Sequence, residues 1–155
     1  MGILMRTGTE SSSASTGVKQ QTGATPVACD AQPRVLIVDD DPDTLTILRY
    51  FLGSQGLEVL SAQDGTKAWA LIQEYLPDLI LTDYMMPEMT GVELAQRVRS
   101  TARTRHIPIL MHSAYDAVHA GGDSPYDDWF DKPTDLTRLG EAIRDRVALG
   151  RASCA

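Results

Sequence analysis

Three aspartates stand at the ends of short apolar runs: Asp39 and Asp40 close Val35-Leu36-Ile37-Val38, and Asp83 closes Leu79-Ile80-Leu81-Thr82. Two more polar residues share this placement, Ser113 after Ile109-Leu110-Met111-His112 and Lys132 after Trp129-Phe130-Asp131. Carboxylates gathered at one point repel one another unless something positive sits among them, and so dense a set of oxygen donors suits Mg²⁺ or Mn²⁺. A lysine beside them neutralises a phosphate and a serine hydroxyl donates to one, which is the positioning and charge stabilisation that phosphoryl transfer needs. Asp83, alone at the end of its run, is the expected nucleophile.

For these residues to meet, their runs must lie side by side, and the chain carries the pattern that does this. From Arg34 onward, β-branched runs alternate with helical stripes, the signature of βα units around a parallel sheet. Val35–Val38 reads as a first strand. Asp41 can cap the helix that follows, with Pro42 in its first turn and Leu45, Leu48 and Leu52 on one face, and Gly53 or Gly56 can close it. Leu57–Ser61 reads as a second strand, followed by a helix after Asp64 striped by Ala68, Leu71, Ile72 and Tyr75 and stopped by Pro77. Leu79–Asp83 is the third strand, Tyr84–Glu88 a loop, and Thr90 with Glu93 a capping box for a helix to about Ser100. A fourth strand at Ile107–Ser113, a short fifth at Trp129–Asp131 and a helix striped by Leu136, Leu139, Ile143 and Val147 complete the series. The expected fold is an α/β, doubly wound, five-stranded parallel sheet with helices on both faces. Such sheets bind ligands beyond the carboxyl ends of their strands, where the five polar residues lie.

The chain has 155 residues, enough for one filled core and too few for two ordinary domains. We expect a Ser/Thr/Gly-rich disordered tail over 1–33, a folded domain over 34–148 and a short tail over 149–155. The long first tail reads equally as a functional tether or the product of a start codon placed too far upstream. The formal net charge of −7 has the wrong sign for grasping a phosphate backbone, so no direct nucleic-acid partner is expected. The two cysteines, Cys29 and Cys154, lie far apart in polar segments and form neither a disulfide framework nor a metal cluster. With no apolar run near the roughly 18 residues of a membrane span, a cytoplasmic protein is expected.

The motifs together are specific. Val35-Leu36-Ile37-Val38-Asp39-Asp40-Asp41, Leu79-Ile80-Leu81-Thr82-Asp83-Tyr84-Met85-Met86-Pro87-Glu88-Met89-Thr90-Gly91, Ser113-Ala114 and Trp129-Phe130-Asp131-Lys132-Pro133 follow in order. Over Arg34 to about Ala148 the chain resembles the CheY-like receiver domain of two-component response regulators. The resemblance implies strand order 2-1-3-4-5 and a phospho-acceptor at Asp83, charged from a phosphohistidine on a histidine kinase or phosphotransfer protein. It implies Mg²⁺ held by Asp40 and Asp83, by Asp39 directly or through water, and by the backbone carbonyl of Met85. Lys132 would contact the phosphoryl group and orient Asp83, and the Lys132–Pro133 bond would be cis. Ser113 would turn toward the phosphoryl group and Trp129 inward behind it, biasing a partner-binding surface. Trp129 reads equally as a fixed packing group.

The segment between Ser113 and Trp129 departs from the family. It is short and broken by Gly121-Gly122 and Ser124-Pro125, so the fourth helix is expected to be shortened, with 117–125 poorly ordered. That places dimerisation through this face in doubt, and a monomer or weak dimer is expected. Met85 and Tyr115 are bulky at positions that in the family govern access of water to the acyl phosphate, so slow hydrolysis is expected. His106, His112 and His119 lack metal-ligand spacing, and strand alternation turns His112 away from the cleft. They read as structural or solvated. Few residues follow Ala148, so the expectation is a stand-alone receiver acting on a downstream target protein or in a phosphorelay. Two rivals stand beside it. One is a Mg²⁺-dependent phosphohydrolase of the haloacid dehalogenase type, with Asp39 as nucleophile and Asp41 as acid/base. The other is a phosphorylation-independent interaction module.

Overall fold

The computed structural model describes residues 31–114 and 123–152. Five strands, β1 (Arg34–Val38), β2 (Glu58–Ala62), β3 (Leu79–Thr82), β4 (Ile109–Ser113) and β5 (Asp128–Asp131), form one parallel sheet in the order β2-β1-β3-β4-β5. Among the described residues four helices accompany them: α1 (Pro42–Ser54), α2 (Gly65–Tyr75), α3 (Gly91–Ser100) and α4 (Leu136–Ala152).

Each helix begins where its sequence can satisfy the free backbone N–H groups of the first turn. The Asp41 carboxylate accepts from the N–H groups of Asp43 and Thr44, and that of Asp64 accepts from Lys67 N–H. Thr90 and Glu93 close a reciprocal capping box on α3. Helix α2 ends at Tyr75, where Leu76 takes φ 45° ahead of Pro77.

β1, β3 and β4 are apolar on both faces because helices cover both sides. On one side Leu45, Leu48 and Leu52 of α1 pack with Leu139, Ile143 and Val147 of α4 against Val35, Ile37, Leu81 and Leu110. On the other, Ala68 and Ile72 of α2 and Leu94, Ala95 and Val98 of α3 pack against Leu36, Val38, Ile80, Ile109 and Met111.

The elements differ from the sequence expectations at three ends. β4 begins at Ile109 rather than Ile107, because Pro108 has no N–H and enters the ladder only as the acceptor for Ile80 N–H. β2 is shifted one residue, to Glu58–Ala62, because the Leu57 N–H is taken by the Leu52 carbonyl as α1 closes. The boundary expected near 148 falls inside α4, which runs to Ala152. Arg151 anchors this last turn: its Nε and Nη2 each lie 3.3 Å from the Asp78 carboxylate, and its Nη1 donates to the Ala31 carbonyl. The expectations for residues 1–30, for Tyr115 and the shortened helix over 115–122, for His119 and for 153–155 lie outside the described residues. Residues 123–125 carry no regular structure.

Candidate functional site

Strand register brings the acidic residues together. Val38 pairs with Thr82, so Asp39 and Asp83 emerge from adjacent strands where strand order reverses. The ladder continues past the strand ends: Asp83 N–H donates to the Val38 carbonyl at 2.8 Å and Asp39 N–H to the Ala62 carbonyl at 3.1 Å. Carboxylate oxygens of Asp39, Asp40 and Asp83 all lie within 4.8 Å of one another. Asp39 is buried, Asp83 half-buried and Asp40 exposed, so the cluster opens to solvent on one side.

Lys132 arrives from β5. Ser113 pairs with Asp131, and Lys132 N–H donates to the Ser113 carbonyl at 2.9 Å, which fixes the start of the loop. The Lys132–Pro133 peptide is cis. Lys132 Nζ donates to Asp39 Oδ2 and lies 3.3 Å from Asp83 Oδ2. Burial pulls the ammonium pKa down, but its hydrogen bond to Asp39 and the charges of Asp39 and Asp83 outweigh burial and leave it above its ordinary value. Burial pushes the Asp39 carboxyl upward, and the Lys132 contact and the Asp41 N–H only partly counter this. One ammonium thus faces three carboxylates, an imbalance that an added hard cation relieves, and an all-oxygen donor set of this spacing fits Mg²⁺.

The acceptor loop is held by backbone contacts. Met85 N–H lies 3.4 Å from Asp83 Oδ1, the Thr82 hydroxyl donates to the Asp83 carbonyl, and Gly91 N–H donates to the Tyr84 carbonyl at 2.9 Å. A Cβ on Gly91 would stand 2.1 Å from the Asp83 carbonyl oxygen, so only glycine allows the loop to close this tightly. The Met85 side chain is exposed. Sequence reasoning took Gly91 only as the residue after a helix cap and gave Thr82 no part. Their signal would have been the loop length between acceptor and cap.

Ser113 is buried at the end of β4. Trp129 packs tilted between Tyr84, at 5.6 Å between ring centroids, and Tyr126, at 5.8 Å, and its indole N–H donates to Asp131 at 2.8 Å. The structure therefore places Trp129 against the residue that follows Asp83. His112 lies on the opposite face of the sheet from Ser113, and is buried.

The sequence model of the response regulator receiver domain matches residues 35–144. The chain belongs to this family. This receiver is 38% identical over 115 residues to the DNA-binding dual master transcriptional regulator RpaA of Synechocystis, covering 72% of this chain and 48% of that protein. It is also 38% identical over 112 residues to an uncharacterized 14.6 kDa protein of Leptolyngbya boryana, covering 70% of this chain and 86% of that one. A crystal structure of a response regulator from Chloroflexus aurantiacus superposes with a TM-score of 0.71 at 31% identity, covering 76% of this chain and 99% of that one. The receiver thus spans about half of RpaA and most of the shorter relative. Its family is a signalling domain rather than a conventional enzyme. Among the described residues no helix is long and apolar enough to cross a membrane.

Proposed function

We propose that this receiver accepts a phosphoryl group on Asp83 from a phosphohistidine of a histidine kinase or phosphotransfer protein, and passes the signal on by phosphorylation-dependent protein binding or by phosphorelay. The observation that carries the reading is the placement of Lys132 Nζ between Asp39 and Asp83, with Asp40 beside them. Asp39, Asp40, Asp83 and the Met85 carbonyl would hold Mg²⁺, which when bound offsets the charge of the phosphoryl oxygens. The Asp83 carboxylate attacks phosphorus. The N–P bond of the donor breaks, an O–P bond forms, and the donor imidazole leaves with the electron pair.

Lys132 orients the carboxylate before transfer and pairs with the phosphoryl oxygens after it. Ser113 donates its hydroxyl to the new acyl phosphate, which adds roughly two negative charges. Tyr84 lies against both the acceptor and Trp129, which supports a response that passes through the Trp129 ring to the β5 surface. The exposed bulk beside Asp83 at Met85 supports slow hydrolysis, and a phosphoryl lifetime of only seconds counts against it.

The haloacid dehalogenase reading needs Asp41 as a free acid/base, whereas the Asp41 carboxylate is committed to capping α1 and to the Thr44 hydroxyl. The test is intact mass after incubation with acetyl phosphate and Mg²⁺. The expected result is one phosphoryl addition to the wild type and none to Asp83→Asn. Turnover of a generic phosphate ester that is lost in Asp39→Asn and kept in Asp83→Asn would reverse the choice.

A further inference from the structure

On the α1/α4 side of the sheet, next to the phosphorylation site, lies a cavity of about 410 Å³. Its walls are Ile47 and Leu48 of α1, Leu136 of α4, Pro133 and Lys132, and His112 of β4. The imidazole of His112 is 94% buried, and among the described residues it has no hydrogen-bond partner. An aliphatic residue would pack this strand position without an unmet donor and acceptor.

The polar groups around it are already committed. The Thr44 hydroxyl donates to Asp41, the Thr134 hydroxyl to the Asp131 carbonyl, and the Lys132 ammonium to Asp39 and Asp83. This leaves the imidazole as the open hydrogen-bonding function in an apolar wall. Burial and the nearby Lys132 charge keep it neutral, so it offers one N–H and one acceptor nitrogen. The carboxylates beyond Lys132 outnumber its charge, which disfavours an anionic occupant.

We propose that this cavity is a binding site for a small, uncharged, largely apolar molecule with a single hydrogen-bonding group, of the phenol class, held by His112 and resting against the aliphatic stem of Lys132. Pockets of this size, apolar with one or two placed polar groups, are the usual form of small-molecule sites. The occupant would touch the lysine that serves Asp83 while leaving the face that a phosphodonor approaches open.

The probe is 2-naphthol, titrated into isotopically labelled protein at neutral pH without metal or phosphoryl donor, with backbone amide and His112 ring resonances followed by NMR. Saturable shifts centred on His112, Leu48 and Leu136 are expected. Binding should weaken about tenfold in His112→Phe, the fold-change of one lost hydrogen bond. Ile47→Asp, on the exposed wall, should weaken it too, and serves if the His112 variant does not fold. Shifts that never saturate, shifts centred elsewhere, or unchanged affinity in the folded variants would overturn the proposal. So would saturation of these residues by a phosphodonor domain but not by 2-naphthol, which would make the cavity a protein-docking groove. No phosphoryl chemistry enters the experiment, so its failure leaves the reading of Asp83 untouched.

Discussion

Asp39 carries two opposed demands. Its burial favours the protonated carboxyl, while its contacts with Lys132 and the Asp41 N–H favour the carboxylate. A divalent cation would settle the conflict in favour of the charged form. Added Mg²⁺ is therefore expected to raise the melting temperature, by about 2.7 kcal/mol of stability at one hundred times Kd, and Asp39→Asn to remove most of that gain. Equal Mg²⁺ responses in both proteins would exclude Asp39 from the metal site. His112 yields a prediction of the other sign. Burial lowers its pKa to about 4, from an ordinary value of 6.5. Between these values the unfolded chain binds the proton and the folded one does not, so stability rises with pH across the window and is lost as pH falls through it. The contribution is about 2–3 kcal/mol. A His112→Phe variant should show a flatter stability curve between pH 6.5 and 4, measured by urea unfolding. The charged residues of the cleft were legible in the sequence because charge at the end of an apolar strand has few other uses. The orientation of His112 was legible from alternation. The void beside it was not, because it depends on how α1 and α4 meet.

At the scale of elements, the loop from β3 to α3 is the least forgiving. Gly91→Ala places a methyl group against the Asp83 carbonyl, and since that neighbour is backbone the loop itself must move. A loss of about 1–3 kcal/mol is expected, with a larger fall in phosphorylation by acetyl phosphate than stability alone explains. Normal phosphorylation of a folded Gly91→Ala protein would contradict the tight-loop account. A second brace lies outside the site. The Asp127 carboxylate accepts from Ile109 N–H and from Arg99 Nη2, each at 2.7 Å, while Arg99 Nη1 donates to the Arg105 and Ile107 carbonyls. These bonds tie α3 to the starts of β4 and β5. Asp127→Ala should cost about 1.5–3 kcal/mol in chemical denaturation and leave Mg²⁺ binding intact. Helix starts were legible because Asp41, Asp64 and Thr90 act on their own first turns. The Arg99–Asp127 brace was not, because 28 residues separate its partners and no local pattern marks them.

The whole molecule shows the same division between local and distant causes. Period and turn residues were enough for the doubly wound sheet, whereas the end of α4 is set by Arg151 reaching Asp78 and Ala31 across the fold. Ending the chain after Ala148 is expected to cost about 1 kcal/mol, since the ion pair is partly exposed, and to loosen Arg34, whose N–H also bonds Asp78. An unchanged melting temperature would show that the last turn carries no weight. The span between the cleft residues has a consequence for synthesis. Lys132 follows Asp39 by 93 positions and Asp83 by 49, and β5 lies at the sheet edge as the last strand made. A chain still on the ribosome holds its acceptor aspartate long before it holds the cation that serves it. Domains of this kind fold as units once their final pieces emerge. The protein is therefore mute to its phosphodonor throughout translation, and half-made copies draw no phosphate away from finished ones.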